Sequence, residues 1–276
     1  MLNDFMIEDH IKNALKEDVP FGDVTTQTLV KNDTIIKAKM NVRKDCVICG
    51  LEVAKKVFEI LSKDAKVELC AKDGDFMKAG ETAAIIEGPA KCVLTGERTA
   101  LNYLQRMSGI ATKTAKYVKA MNNPKVKLAD TRKTTPGFRM FEKYSVKTGG
   151  GCPHRFTTSD CAMVKDNHIK YAGSLTKAVE AVKAQLSHAH KIEVECDTVV
   201  QVEEAVKAGA DIIMFDNMTN DEIKKSLEIV NGRAICEVSG GVTLDTIAEI
   251  AALNPDVIST SAIHAGVKTV DIGLDM

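Results

Sequence analysis

The 276-residue chain is predicted to be an α/β protein in two parts, and three observations lead there. Beyond Pro124, short aliphatic runs alternate with helical segments, the order that builds a parallel sheet. Before Met121, strands, helices and turn signals mix as in a compact α+β domain. Aromatic residues make up only 4% and Trp is absent, so the core rests on Ile, Val, Leu, Ala and Met. That composition suits strands covered on both faces.

The elements follow in order. Ile7, Ile11, Ala14 and Leu15 share one face of a first helix. An alternating strand is expected over 34–43, then a helix over 51–61 with Val53, Val57, Ile60 and Leu61 inward. Strands at 67–70 and 82–86 are separated by Asp73-Gly74-Asp75 and Ala79-Gly80 turns. A long helix spans 91–121, with a break expected near Gly109. Six aliphatic strands then appear at 126–129, 162–164, 192–194, 211–215, 234–238 and 257–259. Helices at 175–186, 199–208, 221–230 and 244–253 intervene, with Ser174, Thr198, Thr219 and Thr243 as N-caps. Six or seven such units fit a closed or nearly closed α/β barrel. An open doubly wound sheet is the second choice, weakened because no G-x-G-x-x-G follows the first strand. The boundary falls between domains 1–121 and 122–266, with 267–276 expected to complete the first.

Each barrel strand runs into polar chemistry. The six runs end at Asp130-Thr131-Arg132-Lys133, Lys165-Asp166-Asn167, Glu195, Asp216-Asn217, Ser239-Gly240-Gly241 and Thr260-Ser261. In a barrel those ends share one face, where active sites form. Between Asp130 and His168 the cations Arg132, Lys133, Arg139, Lys143, Lys147, His154, Arg155, Lys165 and His168 surround Gly149-Gly150-Gly151, although the net charge is only −1. Crowded cations repel unless an anion sits among them, so a small, multiply charged ligand is expected and nucleic acid is not. Ser239, Gly240, Gly241 and Ser261 offer N–H groups and a helix start suited to a phosphate. Glu195 and Asp216 beside a phosphate would accept from sugar hydroxyls or hold a divalent cation, magnesium by preference.

Several longer motifs resemble the quinolinate phosphoribosyltransferase family. They are Asp130-Thr131-Arg132-Lys133-Thr134-Thr135-Pro136-Gly137, Gly149-Gly150-Gly151 followed by His154-Arg155, and Lys165-Asp166-Asn167-His168. Glu97-Arg98-Thr99-Ala100-Leu101-Asn102 and Ser108-Gly109-Ile110-Ala111-Thr112 add to them, and the match runs essentially from end to end. The resemblance implies an N-terminal α+β open-faced sandwich and an incomplete α/β barrel. It implies that phosphoribosyl pyrophosphate and quinolinate give nicotinate mononucleotide, pyrophosphate and CO2 with Mg2+, as a pentosyltransferase of NAD biosynthesis. It also implies a homodimer or larger homo-oligomer that shares its sites. By position, Arg98 from a neighbouring subunit, Arg132, His154, Arg155 and Lys165 resemble the quinolinate contacts. Lys133 and Lys165, with Thr134 beside them, match the pyrophosphate side. Glu195 and Asp216 match the ribose and metal, and Ser239, Gly240, Gly241 and Ser261 the 5′-phosphate. Pro153 and Ser261 depart from the family's usual Asn and Gly.

Two rivals stay open: a Schiff-base aldolase or lyase using Lys165, and a phosphosugar-binding protein without catalysis. Cys46-x-x-Cys49 is read as reduced structural thiols rather than half a zinc site. Arg98 is placed within the stripe of Leu94, Leu101 and Leu104, His10, His188 and His190 at the surface, and Glu193 on the exposed face of its strand. No apolar stretch is long enough to cross a bilayer and no secretory signal is seen, so a cytoplasmic location is expected.

Overall fold

A computed structural model describes residues 2–276. The Asn3 side chain accepts the Phe5 N–H and starts helix α1, Asp4–Asp18, which buries Ile7, Ile11 and Leu15. Helix α2, Val24–Leu29, is capped by Asp23, and strand β1, Ile35–Val42, alternates in burial as its sequence predicts. Strand β2, Cys46–Val47, leads to helix α3, Leu51–Leu61, then strands β3, Lys66–Leu69, β4, Phe76–Met77, and β5, Thr82–Pro89. Helix α4, Ala90–Met121, runs unbroken for 32 residues, against the expected interruption. Gly109 is there for space: an added Cβ would lie 2.5 Å from the Lys268 carbonyl oxygen.

Strand β6, Lys127–Ala129, and helix α5, Arg139–Thr148, come next. Strand β7, Ala162–Val164, is followed by helices α6, Asp166–Ala172, and α7, Leu175–Gln185. Then come strand β8, Ile192–Cys196, helix α8, Val199–Ala208, strand β9, Ile212–Asp216, and helix α9, Asn220–Val230. Strand β10, Ile235–Ser239, helix α10, Ile247–Ala252, strand β11, Val257–Ser259, and strand β12, Ile272–Asp275, finish the chain. Ser174, Thr198 and Thr219 cap their helices as expected. Thr243 does not: residues 244–246 form a turn and the cap passes to Thr246.

The chain divides into two compact units. The first takes residues 1–115, 140–150 and 266–276. Its antiparallel sheet has the order β12-β1-β5-β3, so the tail supplies an edge strand, with Ile272 opposite Val42 and Asp275 opposite Lys39. Residues 140–150 cluster here and not with the barrel, to which the sequence reading gave them. Gly149 shows the fit: a Cβ there would lie 2.4 Å from the Ala111 carbonyl oxygen, so only glycine lets the end of α5 lie against α4. His10, expected at the surface, accepts or donates at 2.6 Å with the Tyr103 hydroxyl and meets the Phe141 ring edge-on. Arg98 is exposed on α4 and lies outside the buried stripe formed by Leu101 and Leu104.

The second unit takes residues 116–139 and 151–265 and contains a six-stranded sheet in the order β6-β11-β10-β9-β8-β7. The pairs joining β6, β11, β10, β9, β8 and β7 are parallel, the incomplete barrel expected from the sequence. Cys152 forms one parallel bridge to Ala129 beyond β6. Its N–H donates to Leu128 O at 2.6 Å, and the His154 N–H donates to the buried Asp130 carboxylate at 2.7 Å. Pro153 falls between those two donors, where a strand's N–H points away from the ladder, so its missing N–H breaks neither bond. Among the described residues, no helix is long and apolar enough to cross a membrane.

Candidate active site

Parallel register stacks the inward side chains of the second unit in layers. Glu195 pairs with Met214, Met214 with Glu237, and Glu237 with Val257, while Asp216 pairs with Ser239 one layer nearer the strand ends. A cavity of about 350 Å³ opens there. Arg132, Lys133, His154, Arg155 and Lys165 line it, together with Glu195, Asp216, Glu237, Ser239 and Ser259.

The expected strand-end chemistry is therefore brought together in large part. Lys143 and Lys147, counted with the cation cluster in the sequence, belong to the first unit, and Lys143 is buried there. Thr134, Gly240, Gly241 and Ser261 are absent from the lining. Thr134 accepts from Arg139 Nε at 3.0 Å, and Ser261 begins a short 3-10 helix. Gly240, at φ +82°, has a different use: a Cβ would lie 2.3 Å from Asn217 Oδ1, so glycine lets the loops after β9 and β10 touch.

Charges within the cavity are mutually dependent. Lys165 Nζ donates to Glu195 in a short ion pair. Burial raises the Asp216 carboxyl above its usual range, the charges of Glu195 and Asp197 raise it further, and Lys165 and Lys133 offset part of that. Arg132 is lowered by burial and then by the charges of Arg155 and Arg139, the mark of cations held close together. Each of these groups has an electrostatic use for an anion or a cation added to the cavity.

Two buried glutamates and a half-buried histidine form the floor. His154 Nε2 lies 3.3 Å from Glu193 and 3.4 Å from Glu237, whose side chains are 0% and 4% exposed. Glu193 thus corrects the sequence reading: residues two apart on a strand share a face, so it points inward with Glu195. The same period exposes Glu237 and Ser259 as inward residues that the sequence reading missed. Burial pushes the Glu193 carboxyl up, the His154 hydrogen bond lowers it, and Glu237 raises it again. For His154, burial favours the neutral ring, but hydrogen bonds and charges from Glu193 and Glu237 outweigh it and raise the pKa to about 10. One contact opposes them: the Arg155 N–H donates to His154 Nδ1 at 2.7 Å. A proton on Nδ1 would face that N–H, so while the contact holds, the ring carries its hydrogen on Nε2 alone. Both ring nitrogens are then engaged within the protein. The Arg155 guanidinium donates to Cys161 O at 2.9 Å and Met163 Sδ at 3.3 Å.

The Cys46 and Cys49 thiols are buried. Burial pushes Cys46 up to about 11 and Cys49 up to about 12. Neither is part of the single group of potential metal ligands found among the described residues, His154, Glu193 and Glu237.

Comparisons with known proteins agree with this arrangement. The N-terminal domain of quinolinate phosphoribosyl transferase matches residues 23–108, and its C-terminal domain matches residues 110–275. The chain belongs to the quinolinate phosphoribosyltransferase family. A relative from Bacillus subtilis, a probable nicotinate-nucleotide pyrophosphorylase (carboxylating), is 37% identical over 275 residues, covering 100% of this chain and 95% of its own. A protein of the same description from Archaeoglobus fulgidus is 42% identical over 263 residues, with 93% and 98% covered. Among solved structures, NadC from Streptococcus pyogenes superposes with a TM-score of 0.97 at 38% identity, covering 100% of this chain and 98% of that one. In this quinolinate phosphoribosyltransferase-family chain, the family motifs supply the cavity's cationic wall from the ends of β6 and β7 and the segment before β7.

Proposed function

We propose that the protein transfers a phosphoribosyl group from phosphoribosyl pyrophosphate to quinolinate with decarboxylation, giving nicotinate mononucleotide, pyrophosphate and CO2 in NAD biosynthesis. The observation that carries this is a cavity with Arg132, Lys133, Arg155 and Lys165 on one side and Glu195, Asp216 and Ser239 on the other, in a chain matched throughout by pyrophosphorylases of that description.

The cations suit the anionic groups of the two reactants. Arg132 and Arg155 can bind carboxylates as planar forks, and Lys133 and Lys165 can meet pyrophosphate oxygens. Glu195 and Asp216 suit ribose hydroxyls, and Ser239 the 5′-phosphate. As the bond from ribose C1 to pyrophosphate stretches, negative charge grows on the leaving group, where Lys133 and Lys165 stabilise it. The ring nitrogen of quinolinate takes C1 and becomes cationic, which stabilises the carbanion left as the adjacent carboxylate departs as CO2; that carbon then takes a proton from solvent to give the product. Transfer therefore precedes decarboxylation.

Glu195 and Asp216 also fit a magnesium ion, since they are hard oxygen donors at neighbouring strand ends and the raised Asp216 would be relieved by a cation. When bound, Mg2+ would neutralise pyrophosphate charge. Arg98, exposed on α4, is available to a second copy of the chain, so a homodimer with shared sites is part of the proposal. A Schiff-base role for Lys165 is disfavoured, because its ammonium is paired with Glu195 and an ammonium has no lone pair for attack.

The deciding assay supplies purified protein with phosphoribosyl pyrophosphate, Mg2+ and either quinolinate or nicotinate, and follows pyrophosphate and CO2. Release of both with quinolinate is expected. Free nicotinate appearing before any nucleotide in a single turnover would overturn the order of steps, and borohydride trapping of substrate on Lys165 would overturn the reaction class.

A further inference from the structure

The floor of the cavity does more than close it. Two carboxylates converge on one imidazole nitrogen, at 3.3 and 3.4 Å, and all three groups are buried or nearly so. The opposite ring nitrogen accepts the Arg155 N–H at 2.7 Å, and the His154 N–H itself is held by Asp130 at 2.7 Å. A second cavity, of about 470 Å³, opens at the strand starts beside Lys191, Ile212 and Val257, and shares His154, Arg155 and Glu237 with the first. The segment carrying Arg155 thus crosses a lumen with space on both sides, joined to β6 by one bridge and a few bonds. Something must fix its height, and the floor cluster is the contact that reaches it from β8 and β10.

We infer that Glu193 and Glu237 are positioning residues for Arg155: they hold the His154 ring from below, and the ring holds the Arg155 backbone. The inference rests on the reading that Arg155 meets a substrate carboxylate. A metal is the competing occupant, since the three ligand atoms lie within 4.8 Å of one another. The hydrogen bonding disfavours it. A ring that ligates through Nε2 carries its hydrogen on Nδ1, and that is where the Arg155 N–H points. Removing either carboxylate leaves the Nε2–H facing the other alone, so the ring is held from one strand instead of two and is free to tilt, and Arg155 with it.

The test separates hydrogen bonding from packing. Glu237→Met and Glu193→Met keep side-chain bulk without a good acceptor, whereas Glu237→Gln and Glu193→Gln keep a carbonyl oxygen for Nε2–H. The Met variants are expected to raise KM for quinolinate about tenfold while leaving KM for phosphoribosyl pyrophosphate within about twofold, and the Gln variants recover most of the loss. Equal effects of Met and Gln, or parallel rises in both KM values, would overturn the inference. Spectra of the unaltered protein with 15N-labelled histidine read the tautomer without any turnover. The hydrogen on Nε2 is expected, with Nδ1 as acceptor; the reverse tautomer, a ring protonated on both nitrogens, or Zn2+ or Mn2+ retained through dialysis with loss of the Nε2 hydrogen, would overturn it. If the unaltered protein does not turn over quinolinate, the functional reading fails, and the tautomer still decides whether the anchor exists.

Discussion

At the scale of single residues, Lys165 has the most to do and the fewest substitutes. It is paired with Glu195 in the cavity, so a substrate anion must compete for it and then keep it. Lys165→Ala is expected to lower kcat/KM by on the order of 10²–10³-fold, with circular dichroism unchanged, because the side chain is not part of the core. Asp216→Asn is expected to weaken Mg2+ binding, read as a higher metal concentration for half-maximal rate. Lys165, Glu195 and Asp216 were legible in the sequence because each stands at the end of an aliphatic run. Glu193 was not, since a lone acidic residue within a strand looks exposed until the strand is known to face a lumen. Period-two alternation from Glu195 carried the missing signal. Likewise His154 was legible as a member of the cation cluster, but not as a ring with Nε2 on two glutamates and Nδ1 on the Arg155 N–H.

At the scale of elements, the sequence was most readable where pattern and cap agree, as for α8, where both limits and the Thr198 cap are as expected. It was least readable where tertiary contact overrides a local signal. Gly109 looks like a helix break and is a close approach to Lys268, and Gly149, the first of three glycines amid the cations, is a helix seat against α4. Gly109→Ala is therefore expected to destabilise the protein by about 1–3 kcal/mol in urea unfolding, where an ordinary helical Gly→Ala stabilises. Gly240→Ala is expected to lower activity as well as stability, because the displaced Asn217 loop carries Asp216. The start of α10 was misread for a related reason: Thr243 has the residue type of a cap, but the helix begins only after Thr246.

At the scale of the whole molecule, the six parallel strands and the antiparallel sheet were both legible from the alternation and mixture of patterns. The membership of 140–150 was not, because nothing local distinguishes a helix seated on α4 from one that flanks a barrel. If sites are shared between copies, mixing inactive Arg98→Ala and Lys165→Ala proteins is expected to restore about a quarter of normal activity in randomly reassorted dimers. No recovery would place Arg98 in its own subunit's site or outside catalysis. Thiol chemistry gives a second test. Cys70 and Cys152 are exposed and are expected to label quickly, while Cys46, Cys49, Cys92, Cys196 and Cys236 are buried and wait for unfolding. Burial raises Cys49, Cys196 and Cys236 from 9.0 to about 12. A pKa raised by folding means that the stabilisation is complete below 9.0 and disappears as pH climbs toward 12, so denaturation midpoints should fall across that window.

The edge strand β12 has a consequence for biogenesis. Its pairing partner β1 emerges from the ribosome early, yet the barrel must be translated before Ile272–Asp275 arrives to cover it. Until then β1 has an open edge on one side, a template for pairing with other nascent chains. Truncating the message just before β12 should therefore yield aggregates rather than a smaller enzyme, visible as a shift from supernatant to pellet on expression.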